Sequence, residues 1–178
     1  MKKVIISEFD KECYEKIRNN ILCVSKEISK KYDKKGIIIL DIAPQIHEGV
    51  AKFFNNAKVR TLDIDPTSGA DFIADITKYN KQLKNQSVDI IFCTEVLEHT
   101  LNPFNAIKEI YRLLKPRGIL ILSTPFNFRI HGPLPDCWRF TEHGLRELLK
   151  NFSKIEISAV ETPGRDLMPI HYTVNAIK

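Results

Sequence analysis

Residues 88–126 read VDIIFCTEVLEHTLNPFNAIKEIYRLLKPRGILILSTPF, and this stretch decides the fold. Val88–Cys93 and Ile119–Leu122 are short apolar runs rich in β-branched residues, as in parallel strands covered on both faces. Between them Ala106, Ile107, Ile110, Leu113 and Leu114 recur at helical spacing, and Pro116 with Gly118 ends the helix. The unit is a strand-helix-strand crossover, and in open α/β sheets ligands bind at the carboxyl ends of such strands. Thr94, Glu95, Glu98 and His99 fall at that end of the first run, which predicts a binding site there.

Working outward, further strands are expected at 36–41, 59–63 and 72–75, with a helix after the first of them marked by Val50, Phe53 and Phe54. Ser7 can cap a helix carrying Tyr14, Ile17, Ile21, Val24 and Ile28 at steps of three and four, placed to pack on the sheet or cover its rim. Lys30–Lys35 reads as a polar linker. Thr141 caps a helix through Leu145, Leu148 and Leu149. Residues 155–160 and 171–177 read as two closing strands, antiparallel because their connection is short. The fold class is α/β: a Rossmann-like seven-stranded, mostly parallel sheet with an antiparallel C-terminal hairpin and helices on both faces. Residues 1–178 form one domain, with a helical segment at 1–35 and the Rossmann-like core at 36–178.

With 178 residues, 43% hydrophobic and 28% charged, the chain can bury a core without disulfides or metal staples. Cys13, Cys23, Cys93 and Cys137 form no C-x-x-C pair and read as reduced thiols. No apolar stretch nears membrane-spanning length, so a cytoplasmic protein is expected. The net charge is +5, but residues 1–35 hold ten Lys/Arg against six Asp/Glu, so the excess lies away from the motif region. A solvated lysine-rich face explains it, and small molecules rank above nucleic acid as substrates. The expected state is monomer or homodimer, with no membrane partner.

Glu95-Val96-Leu97-Glu98-His99 together with Leu113–Leu120 resembles the central block of class I S-adenosylmethionine-dependent methyltransferases of type 11. Ile130-His131-Gly132-Pro133 with Asp136–Thr141 is similar to a bacterial subset that accompanies sugar and glycan biosynthesis. The resemblance implies S-adenosyl-L-methionine as cofactor, with Asp41, Ala43, Gln45, Asp63, Asp75, Thr94 and Glu95 as its binding residues. Asp41 stands where the family places an acid. Ala43, Gln45 and His47 replace the alternating glycines that let the backbone approach a ligand, and Pro44 removes a donor. Two readings follow: Gln45 or His47 binds the methionine end through side chains, or the loop has decayed and the protein is an inert, methyltransferase-like binding protein. Asp63, about twenty residues after that loop, suits the ribose hydroxyls; Asp65, before Pro66, is the alternative. Asp75 matches the family residue that meets the adenine amino group, or else caps a turn.

Methyl transfer needs an aligned nucleophile and, for a hydroxyl, a proton acceptor. His131 is the expected base and Glu95 the carboxylate beside the methyl. Trp138, Arg139 and His131 form the expected substrate wall, unless Trp138 is a core anchor and Arg139 the partner of Asp136. The expected reaction is O-methylation of a small hydroxylated metabolite such as a sugar or glycan precursor. If Glu95, Glu98 and His99 share a helical face, they and His131 could hold a metal, as in some methyltransferases of RNA ends or quinone precursors. Otherwise Glu98 and His99 brace the turn, and no metal ligand is assigned. A nicotinamide dehydrogenase is disfavoured by the absence of G-x-G-x-x-G.

Overall fold

The computed structural model describes residues 5–44 and 49–178. Among them run α1 (Glu8–Tyr32), β1 (Ile38–Ile42), β2 (Lys58–Asp63), β3 (Phe72–Ile73), β4 (Val88–Thr94), α2 (Pro103–Leu113), β5 (Leu114–Pro125), α3 (Glu142–Leu148), β6 (Lys154–Val160) and β7 (His171–Ile177). One seven-stranded sheet has the order β3-β2-β1-β4-β5-β7-β6. β1, β2, β3, β4 and β5 pair in parallel, while β7 runs antiparallel to both β5 and β6.

Strand alternation divides the core. Ile39, Ile90, Phe92, Ile119 and Ile121 point to the face covered by α1, where Ile28 joins them. Leu40, Ile91, Leu120 and Leu122 point to the other face, where Ala106, Ile107, Ile110 and Leu113 of α2 and Leu145 and Leu148 of α3 close over them. Each such aliphatic side chain contributes about 1.5–3 kcal/mol on burial, so the crossover stretch anchors both layers.

The helix starts follow local chemistry. Ser7 Oγ accepts the Asp10 N–H at 3.1 Å, and Asp10 Oδ2 accepts the Ser7 N–H at 3.1 Å, a reciprocal capping box. Asn102 and Thr141 accept the N–H groups of Asn105 and Gly144 at the starts of α2 and α3.

Three expectations are corrected. Among the described residues, the helix expected after β1 is only a 3-10 turn, Ala51–Phe53. Its continuation is prevented because the Asp33 carboxylate takes the N–H groups of Asn55, Asn56 and Ala57 and turns the chain into β2. Lys30–Lys35 is not all linker, since α1 continues to Tyr32. Glu95 is not on a helix: its φ is +55°, and only the single turn Leu97–His99 follows. Among the described residues, no helix is long and apolar enough to cross a membrane.

Candidate functional site

Two clefts open along α1. The first lies at the carboxyl ends of β1 and β4, lined by Asp41, Ala43, Pro44, Gly49, Thr94 and Glu95, and covered by Arg18, Ile21, Leu22 and Ser25 of α1, with Lys52 at its side. It holds about 100 Å³, room for part of a nucleoside cofactor. The second, about 550 Å³, lies between the start of α1 and the segment after β5; Ile6, Tyr14, Phe128, Arg129, His131 and Gly132 are among its walls. Such a volume suits a small-molecule site.

In the first cleft, Asp41 is buried and its Oδ2 accepts the Val50 N–H at 2.8 Å. Burial raises its carboxyl to about 6, against the opposing pull of that hydrogen bond. Ala43, in a position the family gives to glycine, adopts φ +51°, the left-handed conformation glycine favours. Ala43 therefore takes a glycine-type conformation at a cost in strain. Ala43→Gly is expected to raise stability by about 0.5–1 kcal/mol, the left-handed cost offset in part by chain entropy; a denaturant melt with unchanged or lowered stability would refute it. Gly49, which sequence reasoning passed over, has φ +53° and lies against the Asp41 carboxylate. Its signal was its place as the only glycine in the loop. Gln45 and His47 lie outside the described residues.

Asp63 is buried at the end of β2; its Oδ1 accepts the Asp65 N–H at 2.9 Å, and among the described residues Oδ2 takes no hydrogen bond. Asp65 instead holds the Thr67 N–H and hydroxyl in a turn. Asp75 does the same for Thr77 and faces Lys78, so its geometry is that of a turn cap. Thr94 lines the cleft beside Glu95. The Glu95 Oε1 accepts the Ser123 hydroxyl at 2.9 Å and faces His171 Nε2 at 2.8 Å.

At the inner end of the second cleft, His131 Nδ1 stands 3.0 Å from Asp136 Oδ2 and its Nε2 3.8 Å from Glu98 Oε1. Burial lowers the His131 pKa from its ordinary value, opposed by the Asp136 charge. His99 Nδ1 lies 3.0 Å from the Pro135 carbonyl oxygen, to which it can donate, and its Nε2 also stands 3.8 Å from Glu98 Oε1. Glu98 is fully buried, and among the described residues neither carboxylate oxygen has a hydrogen-bond partner. Burial, then the Glu95 charge, push its carboxyl well above the usual range. One ligand atom from each of Glu98, His99 and His131 lies within 4.8 Å of the others. Glu95, grouped with them by spacing, is turned away by its backbone.

The expected substrate wall is placed differently. Arg139 binds both Asp136 oxygens and the carbonyls of Trp138 and Arg129, leaving it committed to the protein. The Trp138 indole N–H donates to the Thr100 carbonyl at 2.8 Å, and its ring stacks on Phe140. Both side chains brace the segment whose Phe128, Arg129, His131 and Gly132 form the cleft wall.

A parallel crossover sheet with an antiparallel hairpin and a cleft at the β1 and β4 ends defines a nucleoside-cofactor α/β protein. The family described as "Methyltransferase domain" matches residues 23–122, and the chain belongs to it. This is a family of S-adenosylmethionine-dependent methyltransferases, and S-adenosylmethionine is the cofactor it brings. Among curated proteins, the ubiquinone biosynthesis O-methyltransferase of Actinobacillus pleuropneumoniae is 36% identical over 64 residues, covering 36% of this chain and 26% of that protein. Probable polyketide synthase 10 of Dictyostelium discoideum is 27% identical over 111 residues, covering 58% of this chain and 4% of that one. The chain thus spans about a quarter of one relative's length and a small fraction of the other's. Among solved structures, a SAM-dependent methyltransferase from Archaeoglobus fulgidus superposes with TM-score 0.65 at 16% identity, over 92% of this chain and 97% of that one. Haemonchus contortus phosphoethanolamine N-methyltransferase 2, in complex with S-adenosyl-L-methionine, gives TM-score 0.66 at 17% identity, over 93% and 56% of the two chains. At such identities the likeness shows the fold.

The residues present fit the cofactor. The Asp63 Oδ2, without a hydrogen bond among the described residues, suits a ribose diol, Gly49 packs on the Asp41 carboxylate in the cleft wall, and Arg18 and Lys52 suit a carboxylate.

Proposed function

We propose that the chain transfers a methyl group from S-adenosylmethionine to a hydroxyl of a small metabolite, such as a sugar or glycan precursor. The observation that carries this reading is the placing of two clefts along one helix, one lined by Glu95 and the other by His131. The cofactor supplies an electrophilic methyl group on a sulfonium. Asp63 holds the ribose end, while Asp41 and Gly49 shape the loop that receives the amino-acid end. In the second cleft His131 takes the proton of the acceptor hydroxyl, and the Asp136 carboxylate at its Nδ1 steadies the resulting imidazolium. Residues of α1 wall both clefts. Binding of S-adenosylmethionine in the micromolar range, roughly −8 kcal/mol, is expected by calorimetry, with a loss of at least about tenfold in Asp63→Ala. Failure of the folded protein to bind either the cofactor or S-adenosylhomocysteine would leave the decayed-loop reading in its place.

A second reading is favoured by the buried Glu98 carboxylate between two imidazoles, without a hydrogen-bond partner among the described residues. One carboxylate and two imidazoles whose Nδ1 atoms face Pro135 O and Asp136 make a donor set suited to a divalent cation. A metal-dependent methyltransferase of RNA or quinone precursors would use it, and one curated relative is an O-methyltransferase of ubiquinone biosynthesis. His131 would then be a ligand and not the base. Calorimetric titration with Mn²⁺ decides the matter: tight binding lost in Glu98→Gln supports this reading, and no binding removes it.

A further inference from the structure

Glu95 is held in an unusual way for a residue at a strand end. Its φ of +55° belongs to glycine, a conformation that costs a non-glycine residue of order 1–3 kcal/mol. The turn persists because the side chain is tied on two sides. Ser123, on the neighbouring strand β5, donates its hydroxyl to Oε1 at 2.9 Å. His171, fully buried at the start of β7, approaches the same oxygen with Nε2 at 2.8 Å.

The other side of that imidazole faces α1. Asn20 Nδ2 lies 3.2 Å from His171 Nδ1 and donates to Thr173 Oγ1 at 2.6 Å. An amide nitrogen can only donate, so Nδ1 accepts and the ring proton sits on Nε2, directed at Glu95. A chain of hydrogen bonds thus runs from the helix that covers the cofactor cleft, through a buried imidazole, to a carboxylate in the cleft wall. Both protein donors occupy Oε1; among the described residues Oε2 takes no hydrogen bond, and Glu95 lines the cleft.

The charges around this cleft make that carboxylate matter. Arg18 and Lys52 are cationic, and Asp41 is buried and raised to about 6, so its charge is costly. Glu95 adds a carboxylate to the same cleft wall, held in place by its two donors. The cofactor carries an ammonium, a carboxylate and a sulfonium, one net positive charge; the product S-adenosylhomocysteine has lost the sulfonium charge and is neutral. A carboxylate fixed in a partly dry cleft separates the two electrostatically.

We propose that Asn20, His171 and Ser123 are positioning residues that fix Glu95 as the charge-selective group of the cofactor cleft, favouring S-adenosylmethionine over S-adenosylhomocysteine. This rests on the methyltransferase reading above. It gives α1 a role beyond covering the site: its docked position, reported by Asn20, sets the preference for substrate cofactor over product, and release of the product is eased by the same lost charge.

The test is the ratio of the two affinities, measured by calorimetry on the full chain; a merely structural role would weaken both ligands together and leave the ratio alone. Glu95→Gln is expected to lower the preference for S-adenosylmethionine about tenfold, and His171→Leu about three- to fivefold. His171→Gln, which keeps a donor towards Glu95 and an acceptor towards Asn20, is expected to retain the ratio. Should His171→Leu not fold, Ser123→Ala reads the same quantity, with an expected fall of about threefold. A ratio unmoved in Glu95→Gln, with both ligands still bound, overturns the proposal and leaves the methyltransferase reading standing. Failure of the unaltered protein to bind either ligand overturns that reading first, and this inference with it.

Discussion

Gly49→Ala is expected to lower S-adenosylmethionine affinity at least about a hundredfold and stability by about 2–4 kcal/mol. Two costs combine there. The φ of +53° is strained for any residue with a Cβ, and a Cβ at this position would run into the Asp41 carboxylate and lie 2.6 Å from the Pro44 Cβ. Neither neighbour can give way cheaply: Asp41 is buried and tied to the Val50 N–H, and Pro44 is held by its own ring. Relief comes only by moving the loop, and with it the backbone that must approach the ligand. Gly69→Ala separates the two costs, because Gly69 also has positive φ, +72°, but a Cβ there would meet nothing within 4 Å. That variant should lose only about 1 kcal/mol and bind normally. If thermal melts and calorimetry found the two variants alike, the close packing of Gly49 on Asp41 would not be what shapes the cleft.

How much of this was legible in the sequence depended on whether the physics is local. The apolar runs of β4 and β5 and the 3.6-residue pattern of α2 report burial on both faces of a sheet, and the observed topology follows from them. Ser7 and Thr141 announce helix starts because capping chemistry acts within three residues. Asp63 was legible through its place at a strand end. By contrast, spacing alone put Glu95 on a helical face with Glu98 and His99. The backbone reverses that at one residue, sending Glu95 to Ser123 and His171, both distant in sequence. The His171 contacts join residues 76 and 151 positions apart, which no local pattern records. The loop after β1 was legible only in part: its missing glycines left decay and retained binding both open, and the sequence did not show that Ala43 takes the glycine conformation or that Gly49 packs on the Asp41 carboxylate.

The partly buried ion pair Asp136–Arg139 carries the other large effect. The Asp136 side chain is fully enclosed; its two oxygens take the guanidinium in a bidentate contact, with Oδ2 at 2.8 Å from Nη2, and Oδ2 also accepts the His131 N–H at 2.9 Å. Through Arg139 the pair holds the carbonyls of Trp138 and Arg129, and so fixes the wall of the second cleft. Asp136→Ala leaves an uncompensated guanidinium and is expected to cost about 3–5 kcal/mol. Replacing both partners by apolar residues, Asp136→Leu with Arg139→Met, should recover much of that loss, because no charge is then stranded. The same pair sets an acid limit. Burial pushes the Asp136 carboxyl up, but the Arg139 and His131 hydrogen bonds and the Arg139 charge outweigh it and bring it down to about 2 from 3.8. A carboxyl depressed in the folded state contributes stability that is complete above the unfolded value of 3.8 and is lost as the pH falls through 3.8 towards 2. Urea melts across that window should therefore show a steeper acid loss in the unaltered protein than in the doubly apolar variant. Equal slopes, or a single substitution costing under about 1 kcal/mol, would mean that the pair is a surface contact, and that the second cleft owes its shape to the turn at Glu98 instead.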